Sequence, residues 1–158
     1  MLTFEGVALL QGTFRLSVDL TIGPSVTAVI GPSGAGKSTL LAAAAGFLLP
    51  GAGRLLYGSE DITALAPGQR PISMLFQDHN LFPHLTVRQN VGLGLKPNLR
   101  LTAAEGAVVR EALARVGLSE HADRKPGTLS GGQQSRVALA RVLVADRPTV
   151  LLDYISKK

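Results

Sequence analysis

Nine consecutive residues hold the densest chemistry of the chain: Gly31, Pro32, Ser33, Gly34, Ala35, Gly36, Lys37, Ser38 and Thr39. They fill the pattern G-x-x-x-x-G-K-[ST], with Gly31, Gly36, Lys37 and Ser38 at the fixed places. A triphosphate concentrates negative charge in a small space, so its site needs many converging donors. Glycines let the backbone curl until successive N–H groups point inward. A following helix adds unsatisfied amides and the positive end of its dipole. At this spacing Lys37 reaches the β- and γ-phosphates, and the Ser38 hydroxyl ligates Mg²⁺.

Such a loop works only between a strand and a helix, and its flanks read that way. Val26-Thr27-Ala28-Val29-Ile30 is a short apolar, β-branched run that predicts a buried parallel strand. Leu40-Leu41-Ala42-Ala43-Ala44-Ala45 is rich in helix formers, with Gly46 placed to end the helix. Upstream, residues 1–30 read as β-rich, with a turn at Gly23-Pro24. Downstream, strands are predicted near residues 54–57 and over residues 72–76, with Gln77 at the carboxyl end of the second. Residues 78–128 are predicted as a helical subdomain. Within it, residues 103–116 place Val108, Val109, Ala112, Leu113 and Val116 on one helical face. Ser130 is a candidate cap for a helix from about Gly132 to Ala145. Thr149-Val150-Leu151-Leu152-Asp153 reads as a buried strand ending in a carboxylate. Strands alternating with helices predict an α/β fold: a mainly parallel sheet, an antiparallel N-terminal β region and a helical insertion, all in one domain over residues 1–158.

Composition narrows the classes. The chain has 158 residues, 46% hydrophobic and 17% charged, enough for one domain with a sizeable core. The absence of cysteine excludes disulfide frameworks, cysteine-type zinc sites and thiol catalysis. The net charge of +5 comes from 16 basic and 11 acidic residues. The basic residues are scattered and aromatics make up only 4%, so no nucleic-acid surface is expected. The N-terminus lacks the basic and apolar pattern of a signal peptide, and no transmembrane helix is expected.

One further segment discriminates among phosphate-loop proteins. Leu129-Ser130-Gly131-Gly132-Gln133 precedes the predicted helix, and Ser130, Gly131 and Gly132 present a hydroxyl and backbone amides at its N-terminus. That is a second anion site. The phosphate loop, Gln77, residues 129–133 and Asp153, in this order, resemble the ATP-binding-cassette (ABC) ATPases over essentially the whole chain. The resemblance implies a P-loop NTPase core, with ATP and Mg²⁺ as cofactors. Asp153 is similar to the Walker B aspartate, which holds Mg²⁺ through its water shell. Gln77 resembles the glutamine that senses Mg²⁺ and links nucleotide to the helical region. The resemblance also implies a head-to-tail dimer with a second ATP-binding subunit, in which each ATP lies between the phosphate loop of one subunit and the Ser130, Gly131, Gly132 and Gln133 segment of the other.

Residues 71–77 and 80–87, with Asn90-Val91-Gly92-Leu93-Gly94-Leu95, look like the importer class, and Gly46-Phe47-Leu48 with residues 74–77 and 92–95 look most like the ATP-binding subunits of bacterial thiamine importers. Polyamine, iron and sulfate importers share much of this pattern. Importer resemblance implies integral membrane permease subunits as direct partners, a periplasmic binding protein as an indirect one, and a place on the cytoplasmic face of the inner membrane. His79 and His84 are expected to be exposed loop residues.

The chain departs from the family in three ways. Tyr154 follows Asp153 where the family has a glutamate that polarises the attacking water, and a phenol with a pKa near 10 is no base at neutral pH. The residues after Asp153 lack the family's interface loop and switch histidine, which His121, lying before the signature, does not replace. This pattern is expected of a cassette truncated after Walker B, and it predicts impaired hydrolysis, an exposed sheet edge and low stability. Third, Phe4 and Phe14 are imperfect matches to the aromatic that stacks on adenine. The rival readings are a non-catalytic nucleotide-binding module, a small-molecule kinase and a DNA-repair cassette. Residues 129–133 argue against the kinase, and the lack of cysteine and long heptads argues against the repair cassette.

Overall fold

Strand β1 (Leu2–Gln11) turns at Gly12-Thr13 into antiparallel β2 (Phe14–Ile22), and its other edge pairs antiparallel with β3 (Ala52–Tyr57). A two-residue β4 (Glu60–Asp61) folds back on β3, giving the order β2-β1-β3-β4. The computed structural model describes residues 1–76 and 80–153, and Gln77, Asp78, His79 and residues 154–158 lie outside them. The chain forms two compact units, Met1–Ile72 and Ser73–Lys158.

In the first unit the core depends on a change of phase in β1. Leu2 and Phe4 point inward at even positions, whereas Val7 and Leu9 do so at odd ones. Strict alternation would turn one pair to solvent. The register shifts between Phe4 and Val7, at Gly6 with φ +55°, and this bulge keeps all four side chains inside. Gly53 on β3 packs against the bulge so closely that a Cβ there would lie 2.3 Å from the Gly6 carbonyl oxygen. Leu55, Ile62 and the inner face of α1 (Lys37–Ala45), Leu40, Ala43, Ala44 and Ala45, complete this core.

The strand predicted at residues 26–30 does not form. The segment is irregular, and Val26 and Ile30 are 103% and 89% exposed. A parallel strand needs a ladder partner, and these residues pair with none of the described strands. The main described sheet is accordingly antiparallel throughout.

In the second unit, which takes up β5 (Ile72–Leu75) from Ser73 onward, β5 and β6 (Thr149–Leu152) form a two-stranded sheet in which the Asp153 amide donates to the Leu75 carbonyl at 3.1 Å. With a single neighbour, β6 leaves Val150 and Leu152 46% and 58% exposed, against the expected burial of this strand. Three helices, α2 (Val87–Gly92), α3 (Ala103–Arg115) and α4 (Gly131–Val144), enclose a core of Val87, Val91, Val109, Leu113, Val137 and Ala140 with their neighbours. On α3 the expected apolar face is corrected at one position: Val108 is exposed while Val109, Ala112 and Leu113 are buried. At 100° per residue, Val109, Ala112, Leu113 and Val116 share a stripe roughly 100° wide centred near Val109, and Val108 falls outside its edge. No described helix is long and apolar enough to cross a membrane.

Candidate phosphate site and signature segment

The phosphate loop is curled by glycines where the pattern requires it. Gly34 and Gly36 adopt φ +80° and +89°, a region costly for side-chain-bearing residues. Gly36 is constrained twice, because a Cβ there would lie 2.8 Å from Phe14 Cζ and 3.1 Å from Leu16 Cδ2. Strand β2 therefore packs against the loop through Phe14 and Leu16. Phe14 is engaged in this packing, and Phe4 is 1% exposed within the core, so Phe4 presents no stacking face to a base.

Lys37 Nζ donates to the carbonyls of Gly31 and Pro32, at 2.9 and 2.7 Å. Its ammonium thus closes over the mouth of its own loop. Helix α1 begins at Lys37 on Gly36, with no side chain capping it and no acidic residue in its first turn. The other three described α-helices each carry a capping box: Thr86 with Gln89, Thr102 with Glu105, and Ser130 with Gln133. The α1 terminus thus presents its dipole to an outside anion with no side-chain cap in the way. Ser38 lies in this first turn, exposed. The curled loop, the ammonium and the uncapped terminus fit a polyphosphate, and the Ser38 hydroxyl and a carboxylate such as Asp153 are oxygen donors of the kind Mg²⁺ takes.

The far end of α1 is held by a residue that sequence reasoning missed. Arg70 is fully buried, and its guanidinium donates to Ala43 O (2.7 Å), Ala44 O (3.0 Å), Thr63 O (2.8 Å) and Leu65 O (2.9 Å). It binds the last carbonyls of the helix, where the dipole favours a cation. Burial pushes its pKa down. Gly46, at φ +89°, leaves room for it, since a Cβ there would lie 2.6 Å from Arg70 Nε. Nothing in the local pattern around Arg70-Pro71 signals burial, because its partners are backbone atoms up to 27 residues away.

In the second unit, Ser130 is the N-cap of α4 as expected, and the helix begins at Gly131, one residue before the predicted start. Its Oγ accepts from the Gln133 amide at 3.3 Å, and Gln133 Oε1 accepts from the Ser130 amide at 2.9 Å. The helical ladder begins with the Gln134 amide on the Ser130 carbonyl at 2.9 Å. Gly131 and Gly132 precede it in the first turn, both exposed, as a second set of N-terminal amides. Asp153 stands at the end of β6 as expected, whereas Gln77 lies outside the described residues. His84 is exposed and meets Phe82 edge to face, ring centroids 5.9 Å apart. His79 lies outside the described residues. No cluster of three or more His, Cys, Asp or Glu side chains suited to a metal occurs among the described residues.

The sequence profile of the ABC transporter family matches residues 15–155. The chain belongs to the ABC transporter family. Among similar proteins are the thiamine import ATP-binding proteins ThiQ of Ruegeria sp. strain TM1040, 60% identical over 154 residues, and of Cereibacter sphaeroides, 56% identical over 155. Each alignment spans 97% of this chain and 67% of the relative. The cassette fold is equally plain in solved structures. A dimeric ATP-binding cassette in a post-hydrolysis state bound to ADP and Pi superposes with a TM-score of 0.79 at 30% identity, covering 96% of this chain and 73% of that one. A nucleotide-free ATP-binding cassette gives 0.80 at 28% identity, covering 96% and 67%. The chain is thus an α/β cassette of the P-loop NTPase type.

Proposed function

We propose that this cassette is the ATP-binding subunit of an importer for thiamine or a thiamine phosphate. The observation that carries the nucleotide reading is the loop of residues 31–39, curled over an uncapped helix with Lys37 at its mouth. The cargo reading rests on the names of the similar proteins. The amides of residues 33–39 and the Lys37 ammonium hold the phosphates of ATP, and Ser38, Gln77 and Asp153 are the residues to hold Mg²⁺. When bound, Mg²⁺ supplies neutralisation of phosphate charge. Ser130, Gly131, Gly132 and Gln133 receive the phosphate of a nucleotide held by a second subunit. Residues 78–128 form the helical subdomain inside one domain, and this part meets the permease on the cytoplasmic side of the inner membrane.

Tyr154 stands where a general base is needed, so the chain binds nucleotide and turns it over poorly. A nucleotide-binding module that pairs without turnover is the second reading, and Tyr154 is the residue that favours it. Calorimetric titration with ATP and Mg²⁺ tests the first point: Lys37→Ala is expected to weaken binding at least tenfold, and equal affinity in both proteins would refute the phosphate-loop reading. Magnesium-dependent ATPase activity comparable to that of an intact importer cassette, and abolished by Lys37→Ala, would overturn the impaired-turnover reading. Thiamine uptake in cells that supply the permease, dependent on this chain, tests the cargo.

A further inference from the structure

The carboxamide of Gln133 has two ends, and the backbone identifies them. The Ser130 amide is a donor only, so the atom it meets at 2.9 Å is the Gln133 oxygen. The Gln133 nitrogen therefore points the other way, where it meets His121 Nε2 at 3.1 Å. A carboxamide nitrogen donates and never accepts. His121 Nε2 must then present a lone pair, and the ring proton of neutral His121 must sit on Nδ1. That Nδ1 is buried with no partner among the described residues. With nothing at Nδ1 competing for the proton, Gln133 alone selects the tautomer.

We propose that His121 is a positioning residue of the signature segment. Its Nε2 lone pair orients the Gln133 carboxamide, whose oxygen then holds the Ser130 amide and shapes the turn presenting Gly131 and Gly132. The role rests on the reading of residues 130–133 as a phosphate site. The hydrogen-bond relay itself is independent of that reading and separately measurable.

The first test uses the full chain labelled uniformly with the heavy nitrogen isotope, in two-bond proton–nitrogen correlation spectra about two units above the ordinary histidine pKa of about 6.5. His121 is expected as the Nδ1–H tautomer. Gln133→Glu keeps an oxygen for Ser130 and turns a second oxygen toward the ring, so it is expected to convert His121 to a form protonated at Nε2. An Nε2–H tautomer in the unsubstituted chain, or an unchanged tautomer in Gln133→Glu, overturns the proposal. The second test is amide exchange. His121→Leu is expected to speed exchange at Ser130 about fivefold, the loss of one hydrogen bond's support. His121→Gln, whose oxygen reaches about as far as Nε2, is expected to stay within about twofold. Equal acceleration in both variants, or none in His121→Leu, also overturns it. ATP-driven self-association then separates the two claims. Its absence in a chain with the expected tautomer and exchange removes the phosphate reading and leaves the relay. Its presence with the wrong tautomer removes the relay and leaves the phosphate reading.

Discussion

Arg70 and Asn90 are the two polar side chains with no exposed surface among the described residues, and both bind backbone. Asn90 accepts from the Phe82 amide at 2.8 Å and donates to the carbonyls of Phe82, Leu85 and Thr86. It thus ties down the loop that leads into α2. Removing a buried side chain that satisfies several backbone groups leaves those groups unpaired and dry. Arg70→Met is expected to cost about 3 kcal/mol, and Arg70→Lys is not expected to rescue it, because an ammonium cannot span four diverging carbonyls. Asn90→Leu is expected to cost about 2 kcal/mol. Urea midpoints of the two variants check both values. Arg70→Met adds a functional readout, since a loosened α1 should also weaken ATP binding, whereas Asn90→Leu should leave it unchanged.

At the level of elements, the capping boxes of α2, α3 and α4, Thr-x-x-Gln, Thr-x-x-Glu and Ser-x-x-Gln, are local chemistry, though only the Ser130 cap was expected from the sequence. Glu105 shows the electrostatic side of this. The Lys96 ammonium and then the Thr102 amide hold its carboxyl below the usual carboxylate range. A depressed carboxylate contributes stability that is present above its unfolded pKa of about 4.3 and is lost as pH falls through the lower folded value. The α3 N-terminus is thus expected to loosen only in acid below about pH 4, and Glu105→Gln to remove that pH dependence; amide exchange at residues 103–106 reads it. Between the helices, Gly94 marks a close approach. A Cβ there would lie 2.3 Å from the Arg141 carbonyl and 2.7 Å from Val144 Cγ2, so Gly94→Ala must push the α2 end away from α4. A loss of about 2–3 kcal/mol in chemical denaturation is expected.

For the molecule as a whole, two features lower stability. Residues 26–30 expose Val26 and Ile30 without a strand partner, and β6 exposes Val150 and Leu152. Apolar surface left in water contributes nothing to folding and invites association. The thermal midpoint is expected below about 60 °C, with binding of a hydrophobic dye to the native state. A cooperative transition above that temperature, with no dye binding, contradicts this.

Local rules determined much of this protein. The glycine positions of the phosphate loop, the helix following it, the Ser130 cap and the strand ending at Asp153 depend on neighbours within a few residues, so spacing alone revealed them. Burial of a strand is different, because it depends on which ladder partners the rest of the chain supplies. The buried strand read at residues 26–30 failed for that reason, and so did the burial of Val150 and Leu152. Arg70 beneath α1 and His121 behind Gln133 were equally illegible. Their partners are backbone carbonyls and a carboxamide oriented by a backbone amide, and only the tertiary structure brings them within hydrogen-bond reach.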